Sequence, residues 1–141
     1  MTLREIFMKF LEAHSIPWGE LNLEPEAPNQ LYILMQGKNK NFEGHALFLE
    51  EEGLFLFYTL LDAQVPQGRR EEMACKLLNL NYGLKAGCFY MEENTGMLTV
   101  RAMQYMRGAD WEKQDLMKKV VTECGQTADY YYPEIMRWAF G

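Results

Sequence analysis

The side chains that could carry acid–base or metal chemistry are few and far apart in this sequence. Its only histidines are His14 and His45, and His45 has neither a cysteine nor a second histidine nearby. His14 falls at the end of a predicted helix, where a cation suits the helix dipole. A metal site needs several ligands at a suitable spacing, and a general base needs positioned partners. The sequence therefore predicts no metal site and no catalytic residue.

The three cysteines, Cys75, Cys88 and Cys124, are odd in number and widely spaced. No CxxC pair or Cys/His ligand spacing is present, which argues against zinc binding and thioredoxin-like redox chemistry. Cys88 follows Gly87 and has Lys85 close by, but a reactive thiol needs a lowered pKa. We interpret all three as buried, reduced thiols of a cytosolic protein.

Two further patterns imitate functional motifs. The carboxylates of Glu50-Glu51-Glu52 and Glu92-Glu93 could suggest a glycosidase pair, but acidic runs at hairpin tips are usually solvated surface. Gly37-Lys38-Asn39-Lys40 resembles part of a phosphate loop, yet it lacks the GxxxxGK(S/T) pattern and precedes a strand rather than a helix. The sequence therefore predicts no cofactor.

The composition is that of an ordinary globular chain with an acidic surface. A length of 141 residues argues for one domain spanning 1–141, and the formal net charge is −6. Nucleic acids are bound by basic patches, whereas Arg69-Arg70 and Lys118-Lys119 both have acidic neighbours. No apolar run approaches a membrane span, and the amphipathic start of the chain is unlike a secretory signal. We therefore expect a cytoplasmic protein that binds neither nucleic acid nor membranes.

Periodicity predicts three helices and five strands that would position these side chains. The first helix follows the capping box Thr2-Leu3-Arg4-Glu5 and ends before Pro17. A connection with a short extended piece around Glu20–Leu23 then leads to the strands. The predicted strands are Gln30–Gln36, Phe42–Glu50, Leu54–Leu61, Cys88–Glu92 and Met97–Gln104. The second helix follows Pro66 and runs to about Tyr82, and the third follows an Asp110 N-cap and kinks or breaks at Pro133. This order, α-β-β-β-α-β-β-α, predicts an α+β fold with a mostly antiparallel five-stranded sheet flanked by helices.

The strand predicted at Leu54–Leu61 is apolar on both of its faces. A strand with one face in water alternates apolar and polar residues, and this one does not. Both faces must therefore be covered by the protein's own helices or by a partner chain. We expect one sheet face to pack on the first and last helices. The other face, with the Met73–Leu84 helix, would meet a second subunit or a client.

This element order and two motifs resemble the YbjN family of bacterial proteins, which share the type III secretion chaperone-like fold. The first motif spans Leu77–Met91 and continues through Thr95-Gly96 to Val100-Arg101. It is similar to the family's signature of a helix, an N..L..G segment and a hairpin. The second motif, Ala128–Ile135, is similar to the aDxyyPxi stretch of the family's last helix. The order covers nearly the whole chain, and the motifs cover these segments.

The resemblance implies a five-stranded sheet flanked by helices, frequent homodimers, and a binding or regulatory role in the cytoplasm. The family is described as sensory-transduction regulators, and related secretion chaperones hold extended segments of client proteins. We therefore expect a non-enzymatic, chaperone-like or regulatory module that acts as a homodimer and binds a client or regulatory protein. The candidate interface residues are Phe55, Phe57, Met73, Leu77, Leu80, Tyr130, Tyr132 and Trp138.

Two other interpretations stay open. A small enzyme or small-molecule sensor could assemble its site from scattered polar residues, namely Asn79, Asn81, Cys88, Asp129 and His45. That interpretation requires a deep polar pocket that holds several of them with perturbed titration. A scaffold subunit of a larger assembly would instead be found in a stable complex with a different chain.

Overall fold

A computed structural model describes residues 1–21 and 30–141 of the chain. The helices are α1 (Leu3–Ala13), α2 (Arg70–Gly83) and α3 (Asp110–Phe140); the strands are β1 (Trp18–Glu20), β2 (Gln30–Gln36), β3 (Asn41–Leu49), β4 (Leu54–Gln64), β5 (Cys88–Met91) and β6 (Met97–Tyr105); and a 3-10 turn, Gln67–Arg69, leads into α2. The three predicted helices and the five predicted strands are all present. The α+β class is therefore confirmed.

The strands form an antiparallel sheet in the order β1-β2-β3-β4-β6-β5. The short strand β1 makes six strands in the described ranges where five were predicted. In it, Gly19 lies against the ring of Tyr32, and a Cβ at this glycine would approach a ring carbon to 2.5 Å. A three-residue strand is too short to show alternation, so sequence periodicity could not reveal it. Of the piece expected around Glu20–Leu23, residues 22 and 23 lie outside the described residues.

One face of the sheet carries the core. Phe55 of β4 lies beside Phe48 of β3 on this face, and both are buried. The ring of Phe7 from α1 packs on them, with ring centroids 5.3 Å from Phe55 and 5.4 Å from Phe48. α3 covers the same face, where Thr59 Oγ1 donates a hydrogen bond to Cys124 Sγ at 3.3 Å. The prediction that the first and last helices pack on one sheet face is therefore confirmed.

The helix α2 lies at the β5 edge of the sheet, next to α3. Its residues Met73 and Leu77 are buried in the same core cluster as those of α1 and α3. Lys76 Nζ lies 5.1 Å from the ring centroid of Trp138 in α3. The prediction that this helix shares the second sheet face was therefore wrong. Its inner side is apolar enough to join the common core, and its last turn binds the backbone of β5.

The second face of the sheet, called the open face below, has no helix over it in the described parts of the chain. Its most exposed apolar side chains are Leu34, Tyr90, Met103 and Tyr105. In the central strand, Leu54 and Leu56 are nearly buried because the side chains beside them in register are also apolar. The sheet is thus apolar on both faces, as predicted, and the helices cover one of them.

The N-terminus of α1 is capped from two places. Thr2 Oγ1 accepts a hydrogen bond from Glu5 N–H at 3.1 Å. Glu50, in the β3–β4 turn, accepts from Leu3 N–H at 2.7 Å and from Arg4 N–H at 3.1 Å. These amides have no partner within the helix, and a carboxylate also suits the positive end of the helix dipole. Glu50 is therefore not the solvated tip residue that was expected, since its carboxylate joins the turn to α1.

The helix α3 begins and continues differently from the prediction. Its N-cap is Ala109, and Asp110 is its first helical residue. The Glu112 carboxylate accepts a hydrogen bond from Ala109 N–H at 3.1 Å, so an acidic residue inside the helix serves the cap position. The helix also runs without interruption through Pro133 to Phe140. Of the predicted kink or break at this proline, the break does not occur, and the kink stays a prediction.

Pro133 is accommodated because a residue outside the helix binds the carbonyl that the proline cannot serve. Proline has no N–H to donate to Asp129 C=O, four residues earlier. Asn39 Nδ2 donates to this carbonyl at 2.9 Å. The Asp129 carboxylate in turn accepts from Lys38 N–H and Asn39 N–H, both at 2.8 Å. These three bonds tie α3 to the β2–β3 turn.

The turn that partly resembled a phosphate loop thus holds the protein's own carboxylate. A Cβ at Gly37 would lie 2.5 Å from Asp129 Oδ1, so a larger residue would displace this carboxylate. Desolvation by the surrounding atoms raises the pKa of Asp129, but the backbone hydrogen bonds from Asn39, Lys38 and Lys40 outweigh it. The net effect lowers the pKa of Asp129 below its usual range.

We predict that Asp129→Asn lowers the free energy of unfolding by about 1–2 kcal/mol at neutral pH, because bonds to a charged acceptor are replaced by weaker ones at an exposed site. Since the pKa is lowered in the folded state, this contribution is present above the unfolded pKa. It is lost as the pH falls through the folded pKa. Denaturant unfolding at neutral and at acidic pH measures both effects.

The matched control is Asp115→Asn, which neutralises an exposed carboxylate on the same helix. It should leave the unfolding free energy nearly unchanged. An equal loss in both variants, or a loss in Asp129→Asn that does not shrink in acid, would contradict the role given to this carboxylate.

Candidate protein-binding surfaces

The five polar residues that could have formed an enzyme or sensor site do not converge. His45 lies half-buried on the open face of the sheet, and Asn79 is exposed on α2. Cys88 and Asp129 line different clefts. Asn81 binds backbone. This arrangement gives no support to a small-enzyme or sensor site built from these residues.

Asn81 acts as a structural tie at the end of α2. Its Oδ1 accepts a hydrogen bond from Phe89 N–H at 2.6 Å, and its Nδ2 donates to Phe89 C=O at 3.0 Å. The side-chain amide therefore imitates a neighbouring strand along the outer edge of β5. An edge strand leaves backbone groups unpaired, and this contact satisfies two of them. The asparagine of the N..L..G segment thus holds the helix exit onto the following hairpin.

The part of the chain that the structure describes holds no cluster of three His, Cys, Asp or Glu residues able to bind a metal ion.

The three thiols differ in burial. Cys124 is buried, as expected. Burial raises the pKa of the Cys124 thiol to about 11, outweighing the opposing effect of its hydrogen bond with Thr59. Cys75 and Cys88 are exposed, so the prediction of a buried thiol was wrong for both. Cys75 lies on the outer side of α2, and Cys88 opens an edge strand.

Half of the candidate interface residues belong to the core of the chain. Phe55, Phe57, Met73 and Leu77 are each at most 3% exposed. The two phenylalanines face α1 and α3, and the other two line the inner side of α2. They could reach a partner only if the core opened. The sequence did not separate core residues from interface residues here, because the strand and the helix carry apolar residues on both of their sides.

The other four candidates lie at the surface or partly at it. Leu80 is half-buried, and Tyr130 is exposed. Tyr132 and Trp138 are half-buried and already have contacts within the chain. Tyr132 meets Phe42 edge-on at 5.8 Å, and the Trp138 ring lies under the Lys76 ammonium. An interface role for these four stays a prediction.

Sequence reasoning missed the most exposed apolar residues of α2. Leu78 is 72% exposed and Tyr82 is 95% exposed, and both lie on the side of the helix that faces away from α3. Cys75 precedes Leu78 by three residues and is exposed on the same side. We call these three residues the α2 outer face. Leu78 directly follows the buried Leu77, and apolar character alone does not separate the two in the sequence.

The open face of the sheet carries a polar row across its apolar surface. His45, Tyr58, Arg101 and Cys88 follow one another in register on β3, β4, β6 and β5. Arg101 Nε and His45 Nε2 are buried and have no hydrogen-bond partner. His45 Nε2 lies 3.3 Å from a Glu43 carboxylate oxygen, outside hydrogen-bond geometry. Within the described residues, two polar atoms therefore lack a hydrogen-bond partner on a surface that no helix covers.

The described chain forms an antiparallel sheet with two helices on one face and a third at its edge. This fold resembles that of YbjN and of type III secretion chaperones, so the resemblance inferred from the sequence is confirmed for the fold. No protein-family model matches the chain. No curated protein matches it either.

Three solved structures illustrate the likeness. A chain of the ExsC–ExsE complex superposes with a TM-score of 0.61 at 15% identity, covering 93% of this chain and 91% of that chain. YbjN, a proposed transcription regulator from E. coli, gives 0.58 at 10% identity over 84% and 83%. The heterodimeric ExoU–SpcU complex from the type III secretion system of Pseudomonas aeruginosa gives 0.56 at 16% over 94% and 96%. At these identities the likeness concerns the fold.

No helix in the two described ranges has a stretch long and apolar enough to cross a membrane.

We predict that Asn81→Ala lowers the unfolding free energy by about 1–3 kcal/mol, because two backbone groups of Phe89 lose their partners. Amide hydrogen exchange at Phe89 should become faster. Asn79→Ala is the control, since Asn79 is exposed on the same helix and its side chain makes no hydrogen bond within the described residues. Unchanged exchange at Phe89 in Asn81→Ala would contradict the tie.

We also predict that Cys88 reacts with a thiol reagent in the native protein, whereas Cys124 reacts only after unfolding. The reason is that a thiolate is the reactive form, and Cys124 combines burial with a raised pKa. Alkylation followed by peptide mass analysis measures each thiol separately. Equal rates at the two cysteines in the folded state would be incompatible with the burial of Cys124.

Proposed function

We propose that the chain is a non-enzymatic, cytoplasmic protein-binding module of the chaperone-like or regulatory kind, formed by one domain over 1–141, and that it acts as a homodimer. The fold supports the binding role, since chains of this fold occur in complexes with partner proteins such as ExoU–SpcU. The polar residues support a non-enzymatic role. The side chains of Asn81 and Asp129 form hydrogen bonds with backbone groups of the chain and therefore have structural roles.

The observation that carries the homodimer is the α2 outer face. α2 buries Met73 and Leu77 on its inner side, yet Leu78 and Tyr82 are almost fully exposed on the other. A single exposed leucine is common on protein surfaces, but adjacent large apolar residues one turn apart on a helix indicate a contact surface. Burial of one such side chain is worth about 1.5–3 kcal/mol, so exposure of both favours association.

A twofold contact fits this face. The α2 outer face carries no charge at Cys75, Leu78 or Tyr82, so a second copy can meet it without opposing like charges. Twofold dimers are the commonest oligomers, and in them the same patch serves both subunits. Tyrosine and other aromatic residues are also enriched at such contacts.

We predict that the wild-type chain is a dimer at micromolar concentration and that Leu78→Glu converts it to a folded monomer. A buried, unpaired carboxylate at the contact is costly, whereas the monomer leaves it in water. Sedimentation equilibrium measures the mass, and circular dichroism checks the fold. The control is Leu34→Glu, the same substitution at an exposed leucine on the open face, which should leave the dimer intact.

The exposed thiol of Cys75 gives a second readout of the same contact. In a dimer through the α2 outer face, alkylation of Cys75 should be slow in the wild type and fast in Leu78→Glu, while Cys88 reacts equally in both. A wild-type monomer, or a dimer dissociated by Leu34→Glu and not by Leu78→Glu, would refute this interface. Neither outcome bears on the binding of a different protein.

A further inference from the structure

The strand β6 has a free edge beyond the point where β5 begins. β5 pairs with β6 from Cys88 opposite Arg101 to Met91 opposite Leu98. On its other side, β6 stays paired with β4 as far as Tyr105. The segment from residue 102 to residue 105 therefore has a neighbouring strand on one side only. In an antiparallel pair, such an edge presents unpaired N–H and C=O groups.

The outward-facing groups of this edge belong to Met103 and Tyr105. Hydrogen-bonded and non-hydrogen-bonded pairs alternate along an antiparallel ladder. Because Asn81 takes both backbone groups of Phe89, the Phe89 pair is a non-hydrogen-bonded one, and the hydrogen-bonded pair next to it is Arg101 with Cys88. Every second residue of β6 after Arg101 has the same orientation. Met103 and Tyr105 therefore direct their backbone N–H and C=O groups toward the free side.

Most of these groups have no partner in the described chain. Gln104 Nε2 donates to Tyr105 C=O at 3.3 Å, and no hydrogen bond within the described residues reaches Met103 N–H, Met103 C=O or Tyr105 N–H from the free side. The side chains of Met103 and Tyr105 are 55% and 54% exposed. Natural edge strands are usually blunted by lysine, proline or a covering loop. This edge has none of these at its exposed positions.

A groove of about 430 Å³ borders this edge, and we call it the edge groove. The loop that leaves α2 forms one wall, and α3 forms the other with the apolar residues Leu116 and Val120. A second groove of about 730 Å³ shares Lys85, Lys119 and Glu123 with it and continues along α3. An extended chain that follows the free edge of β6 would therefore have an apolar wall and a continuous path.

The edge groove is basic although the chain is acidic. Its charged lining residues are Lys85, Arg101 and Lys119 against the single acid Glu123, while the whole chain carries a net charge of −6. Within residues 1–21 and 30–141, none of these three cations lies in an ion pair. Arg101 Nε is in addition buried without a hydrogen-bond partner. The charge of the groove is thus complementary to a carboxylate-rich ligand.

We propose that the free edge of β6 binds an acidic, extended segment of a partner polypeptide by β-strand addition, with its carboxylates at Lys85, Arg101 and Lys119. The proposal rests on the protein-binding role proposed above and is independent of the homodimer. Strand addition supplies main-chain hydrogen bonds, and the neighbouring side chains select the sequence. A second copy of this chain is disfavoured at this edge, because twofold pairing of β6 would place two basic grooves against each other.

The test uses the full chain and a capped decapeptide of repeated Val-Val-Glu-Glu units, which places carboxylates on both faces of an added strand. We expect the peptide to bind, to slow hydrogen exchange at the Met103 and Tyr105 amides, and to bind more weakly as salt is raised. A decapeptide with lysine in place of glutamate tests charge. A valine–glutamate peptide N-methylated at every residue keeps the charge and has no backbone N–H to donate at either edge, so it tests strand addition.

Two variants of the protein complete the test. Lys85→Glu combined with Lys119→Glu should weaken binding of the acidic peptide at least about tenfold, because attraction is replaced by repulsion at two positions. Lys113→Glu combined with Lys118→Glu makes the same change in net charge on α3 outside the edge groove and should have little effect. Thermal unfolding confirms that both double variants are folded.

Each remaining outcome decides against the proposal. If the N-methylated peptide bound as tightly as the unmethylated one, binding would depend on charge alone and not on strand addition. If the lysine peptide bound as tightly as the glutamate peptide, the site would have no preference for acidic segments. Protection of Met103 and Tyr105 that grows with protein concentration alone would make the edge a self-contact. Binding of the acidic peptide elsewhere, with both amides still exchanging freely, would overturn the edge site while leaving the protein-binding role in place.

Discussion

The phenylalanine cluster between α1 and the centre of the sheet fixes the arrangement of the whole molecule. Phe7 packs on Phe48 and Phe55 at ring distances below 6 Å, and all three are buried. Aromatic side chains bury large areas, so this contact commits α1 to one face of the sheet. α3 joins the same face through Cys124, which lies under the hydroxyl of Thr59. α1 and α3 therefore both lie on one side of the sheet, and within the described residues no helix covers the apolar second face.

Long-range side-chain contacts to backbone hold the connections around this core. Glu50 binds the first amides of α1, Asp129 binds the β2–β3 turn, and Asn81 binds β5. Arg70 adds a fourth contact, since its guanidinium donates to the carbonyls of residues 65, 94 and 95 at 2.9–3.2 Å. Each contact satisfies backbone groups that a helix end or a turn leaves unpaired. Asn81 and Asp129, two of the polar residues considered for an enzyme or sensor site, therefore have structural roles.

The sequence predicted the elements well because their signals are local. Apolar spacing, turn residues and proline positions located the three helices and five of the strands. The errors arise where a distant residue decides the outcome. α3 passes through Pro133 because Asn39, far away in the sequence, binds the carbonyl of Asp129. No pattern near the proline carries that information.

The surfaces were harder to predict for a related reason. Leu77 and Leu78 are adjacent and chemically alike, yet Leu77 is buried and Leu78 is exposed. Only the direction of α2 against α3 and β5 separates them. The edge groove depends even more on topology, since β5 is shorter than β6 and the cations come from a loop, a strand and a helix. Residues from three elements leave no spacing that a sequence motif could record.

The two candidate surfaces differ in chemistry, and this difference limits what each can bind. The three residues of the α2 outer face are uncharged, so a twofold contact through them would bury no charged side chain of this set. The edge groove gathers three cations in a chain of net charge −6, and a second copy would bring like charges to it. A fold shared with other proteins at 10–16% identity does not determine which surface is used. The charge and exposure of individual residues distinguish a surface suited to self-association from one suited to a different, acidic chain.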